Sequence, residues 1–183
     1  DGKPPAEIST ISREQVLAYP QVQLFEGQVT EGRKTAEGFE LKLENGNTYV
    51  GKKLILATGI QDQMPDIKGV TECWGISMIH CPYCPGYEYR AKKTGLLSNG
   101  EKAFHMASLI HNLTDQLSII PNGKADFSSA QMEILNRKGI KLFEEDITEV
   151  RHEKGYMQAL IFSDGTKLEL EALYASIPFQ QSN

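Results

Sequence analysis

The sequence predicts an α/β fold built on a doubly wound parallel sheet, with a β-meander before it and another after it in the chain. Residues 94–143 alternate strand-like and helix-like segments in the order β-α-β-α-β, which is typical of parallel strands joined by crossover helices. Residues 22–57 and 147–170 instead contain short apolar runs separated by polar turns, which indicates antiparallel meanders. Residues 173–177 form one more apolar run, and we expect it to return to the sheet.

A helix is predicted near the start of the chain. Helical spacing extends over residues 9–18, and Tyr19-Pro20 ends it because the residue before a proline disfavours the helical conformation. Ser12 is its expected cap, with Gln15 three residues further on as in a capping box.

The first meander is predicted from alternation and from one turn signal. Phe39, Leu41 and Leu43 alternate with charged residues, a period of two that indicates a half-buried strand. Asn45-Gly46 marks a tight hairpin turn, in which we expect positive φ at both central residues. The expected strands are 22–29, 39–43, 48–50 and a buried strand at 53–57.

The second half supplies the sheet and the second meander. A linker containing Met64-Pro65 and Lys68-Gly69 places a domain boundary near residues 61–70. Gly139 is expected to end the second helix. The expected elements are strands 94–97, 117–120 and 140–143, helices 101–113 and 128–138, and meander strands 147–150, 157–162 and 167–170 with a turn at Asp164-Gly165.

The composition and the hydropathy of the chain limit which partners it can bind and in which compartment we expect it. The net charge of −5 argues against a nucleic-acid partner, since phosphate binding needs an excess of Lys and Arg on one face. No apolar run approaches the roughly 20 residues of a membrane-spanning helix, and no signal-peptide pattern opens the chain. We therefore expect a cytoplasmic protein that binds neither nucleic acid nor membrane. Both ends resemble cuts within a longer protein, because the first segment is loop-like and the last follows an apolar run.

The strongest local signal is the pair Cys81 and Cys84, separated by Pro82-Tyr83. Two cysteines at this spacing can close a disulfide, often across the first turn of a helix whose amides favour the thiolate. A thiolate is the species that attacks disulfides. Zinc is an alternative, although the further ligand candidates are only Cys73 and His80, and an inert pair is another.

A second signal lies between the strand at 94–97 and the helix that follows it. The residues are Ser98-Asn99-Gly100-Glu101-Lys102-Ala103. A dinucleotide site has Gly-x-Gly-x-x-Gly/Ala at this place, so that the backbone approaches a pyrophosphate at the helix N-terminus. Gly100 and Ala103 fit that pattern and Ser98 departs from it, so an ordinary tight turn between strand and helix is the alternative.

The order of these motifs resembles the thioredoxin reductase family. The motifs are Ala57-Thr58-Gly59, the linker, Cys81-Pro82-Tyr83-Cys84-Pro85-Gly86-Tyr87-Glu88 and the Gly100 turn. The likeness covers essentially the whole chain. It is greatest to the branch that includes bacterial thioredoxin-reductase-like proteins and fungal dithiol oxidases.

The resemblance implies a three-layer, doubly wound nucleotide-binding domain with a meander, inserted into a partial FAD-binding domain. Residues 1–67 would belong to the FAD-binding domain. Residues 68–176 would form the NAD(P)-binding-type domain that carries Cys81 and Cys84, and residues 177–183 would begin the return of the chain to the FAD-binding domain. The family's N-terminal Gly-x-Gly-x-x-Gly and C-terminal Gly-Asp segments have no counterpart here. FAD binding is therefore expected of the complete protein.

The resemblance also implies roles for single residues. Cys84 would face the flavin and Cys81 would attack the partner disulfide. The implied cofactor-binding residues are Ala57, Thr58 and Gly59 for FAD, and Ser98, Asn99, Gly100 and Ala103 for the pyridine nucleotide. The partner would be a thioredoxin-like protein or a small disulfide or dithiol, and the protein a homodimer.

Three departures from the family pattern bear on the chemistry. Pro85 stands where the family has an acidic or histidine general acid, and His80 or Glu88 could take that role. Ser98 replaces a glycine. Lys124 is the only cation where relatives that use NADPH carry two arginines, which leaves NADPH, NADH and oxygen open as electron donor or acceptor. The alternatives are an FAD-dependent dithiol oxidase that uses oxygen and a non-catalytic or zinc-stabilised nucleotide-binding-type module.

Overall fold

In the computed structural model, which describes residues 3–84 and 86–181, the chain divides into two compact units. The smaller unit contains Ala6–Gln61 and the larger contains Asp62–Gln180, so the division lies at the start of the predicted linker. The assignment of residues 1–67, 68–176 and 177–183 to flavin- and nucleotide-binding domains stays a prediction.

The smaller unit contains a helix and a three-stranded antiparallel sheet. Helix α1 (Pro5–Leu17) begins four residues before the predicted start, so Ser12 lies inside it and the predicted cap is wrong. Pro5 suits the first turn because its missing amide hydrogen has no partner there. The strands are β1 (Val29–Lys34), β2 (Phe39–Leu43) and β3 (Thr48–Gly51), with β2 in the middle.

Two details of this meander differ from the prediction. Residues 22–28 form no strand, and β1 begins only at Val29. In the turn between β2 and β3, Gly46 has a φ of 85° whereas Asn45 is not in the left-handed region. The turn is closed by hydrogen bonds from Gly46 N–H to Leu43 O and from Leu43 N–H to Asn47 O. A three-residue loop with one left-handed glycine therefore replaces the two-residue turn.

The predicted buried strand at residues 53–57 is wrong. No strand forms within the described segment 52–59, and the side chains of Ile55 and Leu56 are 88% and 76% exposed. A buried strand needs neighbours on both edges and both faces. In the described chain no strand pairs with this segment, so the side chains of Ile55 and Leu56 remain in solvent.

The larger unit contains most of the regular structure. From residue 60 onward the elements are, in chain order, β4 (Ile60–Asp62), α2 (Val70–Cys73), β5 (Met78–Ile79), β6 (Thr94–Leu97), α3 (Gly100–Ile110), β7 (Leu117–Ile120), α4 (Ser129–Arg137), β8 (Lys141–Leu142), β9 (Ile147–Glu153), β10 (Tyr156–Phe162), β11 (Lys167–Glu169), β12 (Ala172–Ala175) and β13 (Phe179–Gln181). The division between the units falls inside β4 and inside β13.

The predicted parallel sheet is confirmed. Its strand order is β5-β12-β6-β7-β8, and every neighbouring pair is parallel. The returning strand β12 lies between β5 and β6, and the two-residue strand β5 was not predicted. Helix α4 has the capping box, between Ser128 and Gln131, and Gly139 follows it with a φ of 70°. The second meander forms an antiparallel sheet in the order β11-β10-β9.

Three layers are packed around two clusters of buried side chains. One cluster joins the parallel sheet to the β9–β11 meander and includes Met78 and Leu160. The other joins the sheet to α3 and α4 and includes Leu96, Ala107 and Leu135. Both faces of the sheet are therefore covered, as in other parallel sheets.

Ser77, which is fully buried immediately before β5, joins the sheet to the meander. Its hydroxyl donates a hydrogen bond to the Gly155 carbonyl oxygen (2.6 Å) and accepts one from the Met157 N–H (2.9 Å). Its own carbonyl oxygen accepts a hydrogen bond from the Leu173 N–H of β12 (2.9 Å). One residue thus connects the β9–β10 hairpin to two strands of the sheet.

The linker is held against the meander by Lys68. Its Nζ lies 2.8 Å from Glu149 Oε1, and its carbonyl oxygen accepts a hydrogen bond from the Val150 N–H (2.8 Å). A Cβ at Gly69, where φ is 86°, would overlap the Val150 carbonyl oxygen. The hydrogen bond from Lys68, with a further contribution from Arg151, lowers the pKa of Glu149.

We expect Ser77→Ala to lower the free energy of unfolding by about 1–3 kcal/mol, because it leaves a buried carbonyl and a buried amide without partners. The measurement is urea denaturation. Ser108→Ala is the matched control, since the Ser108 hydroxyl donates to the Phe104 carbonyl oxygen within α3 and serves no second element. That control should stay within about 0.5 kcal/mol of the native protein. Equal losses in the two variants would contradict the connecting role of Ser77.

We expect Glu149→Gln to lower stability at neutral pH and to have no such effect in strong acid. Because the pKa of Glu149 is lowered in the folded state, its stabilising contribution is present above the ordinary glutamate pKa and is lost as the pH falls through the lowered value. Urea midpoints across that range give the measurement, and Lys68→Met should reproduce the pattern. A deficit in Glu149→Gln that persists undiminished at the acid end would rule out this explanation.

Candidate redox site

Cys81 and Cys84 lie in a turn that follows β5. The Cys84 N–H donates a hydrogen bond to the Cys81 carbonyl oxygen over 3.4 Å. No helix begins at this turn among the described residues, so the predicted contribution of helix N-terminal amides is absent. The sequence gives a reason, since the residue before Pro85 disfavours the helical conformation. Pro85 itself lies outside the described residues.

The segment 80–93, which we term the dithiol loop, is held to the larger unit at three points. Gly86 packs so closely against the Leu113 side chain, which lies outside the loop, that a Cβ there would overlap it. The Tyr89 hydroxyl donates a hydrogen bond to the Ile76 carbonyl oxygen (2.8 Å). Ala91, with a φ of 59°, donates its N–H to the Leu113 carbonyl oxygen (2.9 Å). The loop is therefore positioned by specific contacts, although its described residues form no helix or strand.

The two thiols are free and unequal. Cys84 is exposed and Cys81 is half-buried. The hydrogen bond between the thiols, and then the charge of an ionised Cys81, raise the pKa of Cys84. Burial makes a smaller contribution in the same direction. Ionisation of Cys84 is therefore disfavoured beside Cys81, and more so when Cys81 carries a charge.

A buried tyrosine lies behind the dithiol loop and was missed in the sequence. Tyr174, in the middle of β12, is 1% exposed, and its hydroxyl has no hydrogen-bond partner in the part of the chain that the structure describes. Burial raises the pKa of Tyr174 to about 12, with further contributions from Tyr89, Cys81 and Glu88. The available signal was a hydroxyl group in the otherwise apolar run Ala172–Ala175.

His80 and Glu88 lie on either side of the cysteines and both are exposed. The charge of Glu88 contributes to the raised pKa of Tyr89, although burial of Tyr89 is the main cause and Tyr156 contributes more. The charge of Glu88 therefore acts on the half-buried Tyr89 side chain. A general-acid role for His80 or Glu88 stays a prediction.

The predicted nucleotide turn forms where β6 meets α3. Asn99 caps α3, and its Oδ1 accepts a hydrogen bond from the Gly100 N–H (2.8 Å). Gly100 has a φ of 60°, which favours glycine, and Ala103 is fully buried against the sheet. The Ser98 N–H donates to the Ile120 carbonyl oxygen (3.2 Å) and so connects the turn to β7.

The same turn is closed by the loop at residues 124–126. Asn99 Nδ2 donates to the Lys124 carbonyl oxygen, and the Asp126 N–H donates to Asn99 Oδ1, each over 2.9 Å. A Cβ added to Gly100 would lie 3.7 Å from Asp126 Oδ2. A carboxylate thus lies near the end of a helix that attracts anions, where a pyrophosphate would be placed. Binding of a pyridine nucleotide here stays a prediction.

Residues Ala57, Thr58 and Gly59 are exposed in the smaller unit. Gly59 has a φ of 71°, and no atom lies within 4 Å of the position that a Cβ would take. The backbone is therefore accessible at this turn and leaves room for a ligand. Flavin binding by these residues stays a prediction.

Two features are absent from residues 3–84 and 86–181. No three side chains of the metal-binding types His, Cys, Asp and Glu are grouped so that they could hold a metal ion. None of the helices described there has the length and hydropathy that crossing a lipid bilayer requires.

We expect Cys81→Ala to make Cys84 ionise at lower pH, because the substitution removes the main cause of its raised pKa. The rate of iodoacetamide alkylation at Cys84, mapped by mass spectrometry, should reach half its plateau at lower pH than in the reduced native protein. Cys73→Ala is the control, since it leaves both loop sulfurs in place. An unchanged profile for Cys84 in Cys81→Ala would refute the coupling between the two thiols.

The chain is similar in sequence to proteins named thioredoxin reductase. It is 34% identical to thioredoxin reductase tcpT of Claviceps purpurea over 97% of this chain and 59% of that protein. It is 28% identical to a thioredoxin reductase of Gibberella zeae over 76% of this chain and 50% of that protein. No protein-family model matches the chain. The chain thus spans between half and three fifths of the length of these relatives.

Solved structures show the same likeness. TrxB of Bacillus anthracis, a candidate thioredoxin reductase, superposes with a TM-score of 0.86 and 31% identity over all of this chain and 62% of that one. The structure of HlmI superposes with a TM-score of 0.80 over 96% of this chain and 56% of that one, and its 22% identity shows the fold alone. The resemblance stated from the motifs is confirmed: in sequence and in fold, the chain is thioredoxin reductase-like.

Proposed function

We propose that the protein is a flavin-dependent oxidoreductase that moves electrons between a pyridine nucleotide and a disulfide through Cys81 and Cys84. The observation that carries the proposal is the pair of free thiols in one turn, close enough that Cys81 raises the pKa of Cys84. The similarity to proteins named thioredoxin reductase supports the direction of the chemistry. The partner would be a thioredoxin-like protein or a small disulfide, and the protein a homodimer.

The reaction follows from the inequality of the two thiols. The thiolate of Cys81 attacks one sulfur of the substrate disulfide, forms a mixed disulfide and releases the other substrate sulfur as a thiolate. Cys84 then loses its proton and attacks Cys81, which forms the Cys81–Cys84 disulfide and releases the second substrate thiolate. The raised pKa of Cys84 keeps its proton in place until that second step.

FAD, when bound, supplies the electron pair that reduces the Cys81–Cys84 disulfide again. The accessible turn at Gly59 is compatible with a role of Ala57, Thr58 and Gly59 at the edge of the flavin site. These residues could approach the cofactor through their backbone, since all three are exposed.

An FAD-dependent dithiol oxidase is the second candidate. Here a substrate dithiol becomes a disulfide, and its two electrons and two protons pass to oxygen to form hydrogen peroxide. The specific observation in its favour is the carboxylate of Asp126 beside Gly100, together with the use of the Gly100 amide by Asn99. Both reduce the affinity of the α3 N-terminus for a pyrophosphate, so they favour a reaction without a pyridine nucleotide. A non-catalytic nucleotide-binding-type module is the remaining alternative.

Anaerobic titration of the flavin-loaded protein separates these candidates. Loss of the visible absorbance of the flavin on adding NADPH or NADH would support the reductase, and the nucleotide that bleaches it more effectively would be the donor. Loss only on adding a dithiol, followed by peroxide formation when oxygen is admitted, would support the oxidase. No change with either reagent would leave the non-catalytic module.

We expect Cys84→Ser to abolish disulfide turnover, because the mixed disulfide at Cys81 then has no thiol to resolve it. The assay is steady-state reduction of a small disulfide by the flavin-loaded protein. Cys73→Ala is the matched control, since Cys73 is fully buried and outside the loop, and it should retain turnover. Undiminished turnover in Cys84→Ser would overturn the assignment of the redox pair.

A further inference from the structure

A side-chain hydrogen bond joins the chain before the two cysteines to the chain after them. The hydroxyl of Tyr89 donates to the carbonyl oxygen of Ile76 over 2.8 Å. Ile76 comes directly before Ser77 and β5, and Tyr89 follows Cys84 in the dithiol loop, so this bond closes the segment that carries both sulfurs. Because one side chain makes the closure, one substitution removes it.

The acceptor of this bond is fixed by the core of the larger unit. The Ile76 N–H donates to the Cys73 carbonyl oxygen over 3.0 Å. The Ile76 side chain packs against Gly155 of the β9–β10 hairpin so closely that a Cβ at Gly155 would overlap it. Ser77, the next residue, donates a hydrogen bond to the same hairpin. The Ile76 carbonyl oxygen is therefore held in place independently of the dithiol loop.

The donor of this bond is held by packing. The half-buried Tyr89 side chain packs against the cluster between the sheet and α3, which includes Ile79 of β5. The Lys92 Nζ atom lies over the Tyr89 ring, 5.5 Å from its centre. Burial is the main cause that raises the pKa of Tyr89, so the hydroxyl keeps the proton that it donates at neutral pH.

The turn that carries the sulfurs is held less firmly than the two ends of this bond. The Cys84 N–H lies 3.4 Å from the Cys81 carbonyl oxygen, which is long for a hydrogen bond. Gly86 lies against the Pro82 carbonyl oxygen, so the chain turns back on itself around Cys84. The described residues of the loop form no helix or strand. The approach of the two sulfurs therefore depends on closure from outside the turn, which the Tyr89 bond supplies.

We propose that Tyr89 is a positioning residue of the redox site, whose hydrogen bond to Ile76 favours the Cys81–Cys84 disulfide over the open dithiol. The inference rests on the proposed function in that the two cysteines cycle between these forms. A disulfide requires the sulfurs to be adjacent, and a loop that is already closed loses less conformational entropy when the bond forms. Linkage then requires the disulfide to strengthen the Tyr89 bond in return.

The test is the ratio of disulfide to dithiol at equilibrium in anaerobic glutathione buffers. Each Cys81–Cys84 disulfide that forms reduces one oxidised glutathione to two reduced molecules, and alkylation followed by mass spectrometry records the ratio. In Tyr89→Phe we expect the ratio to fall about three- to tenfold, which raises the reduction potential by about 15–30 mV. The same ratio in Tyr89→Phe and in the native protein would overturn the proposal.

Thr114→Val is the matched control. The Thr114 hydroxyl donates to the Lys92 carbonyl oxygen over 2.8 Å, at an end of the loop that the Ala91 N–H also holds. The variant therefore removes a hydrogen bond of the loop and leaves the connection to Ile76 in place, so its ratio should stay native. A fall as large as that in Tyr89→Phe would indicate general loosening of the loop and would refute the specific role.

Urea denaturation of both redox forms separates positioning from general support of the fold. Linkage requires Tyr89→Phe to destabilise the disulfide form more than the dithiol form, whereas a purely structural role destabilises both equally. Equal losses would count against the proposal. Neither assay depends on turnover. A native protein that forms no Cys81–Cys84 disulfide in any of the buffers would contradict the proposed function as well, whereas equal ratios in native and variant proteins contradict this inference alone.

Discussion

The architecture of the larger unit depends on one buried hydroxyl. The Ser77 hydroxyl is hydrogen-bonded to the β9–β10 hairpin, and the Ser77 carbonyl oxygen is hydrogen-bonded to β12. Ser77 therefore sets the separation between the meander and the parallel sheet. The next two residues form β5, and the dithiol loop begins directly after it. The position of the cysteines therefore depends on how the β9–β11 meander packs against the parallel sheet, although neither layer takes a direct part in the chemistry. A polar group at the centre of an apolar interface fixes the packing of the two layers because its hydrogen bonds can form in only one arrangement.

Much of the larger unit could be predicted from the sequence because its signals are local. The strands at 94–97 and 117–120 are short apolar runs bounded by turns, and Gly139 ends a helix by a conformation that glycine adopts easily. The errors arise where an element depends on a distant neighbour. The apolar run at 53–57 has the composition of a buried strand, but none of the described strands lies beside it. Strand β5 is too short to show any periodicity.

The candidate site shows the same contrast. The spacing of Cys81 and Cys84 is a sequence property and predicted the pair directly. Pro85 was also a signal against the helix expected at that turn, and no helix begins there among the described residues. The positions of the Tyr174 hydroxyl and the Asp126 carboxylate were missed because their neighbours in the fold are distant in the chain. Such contacts are set by the topology of the sheet, in which β12 returns between β5 and β6.

The brevity of β5 gives the site a mechanical property. It is an edge strand that is paired with β12 through only two residues, Met78 and Ile79. Met78 and Ile79 are almost fully buried, and the Gly75 N–H donates a hydrogen bond to the Met78 carbonyl oxygen (2.8 Å), so core packing and the preceding turn support this short strand. The position of the two sulfurs therefore depends more on side-chain packing beneath β5 than on backbone pairing along it. A substitution in the core beside β5 can thus reach the dithiol as directly as a substitution in the loop.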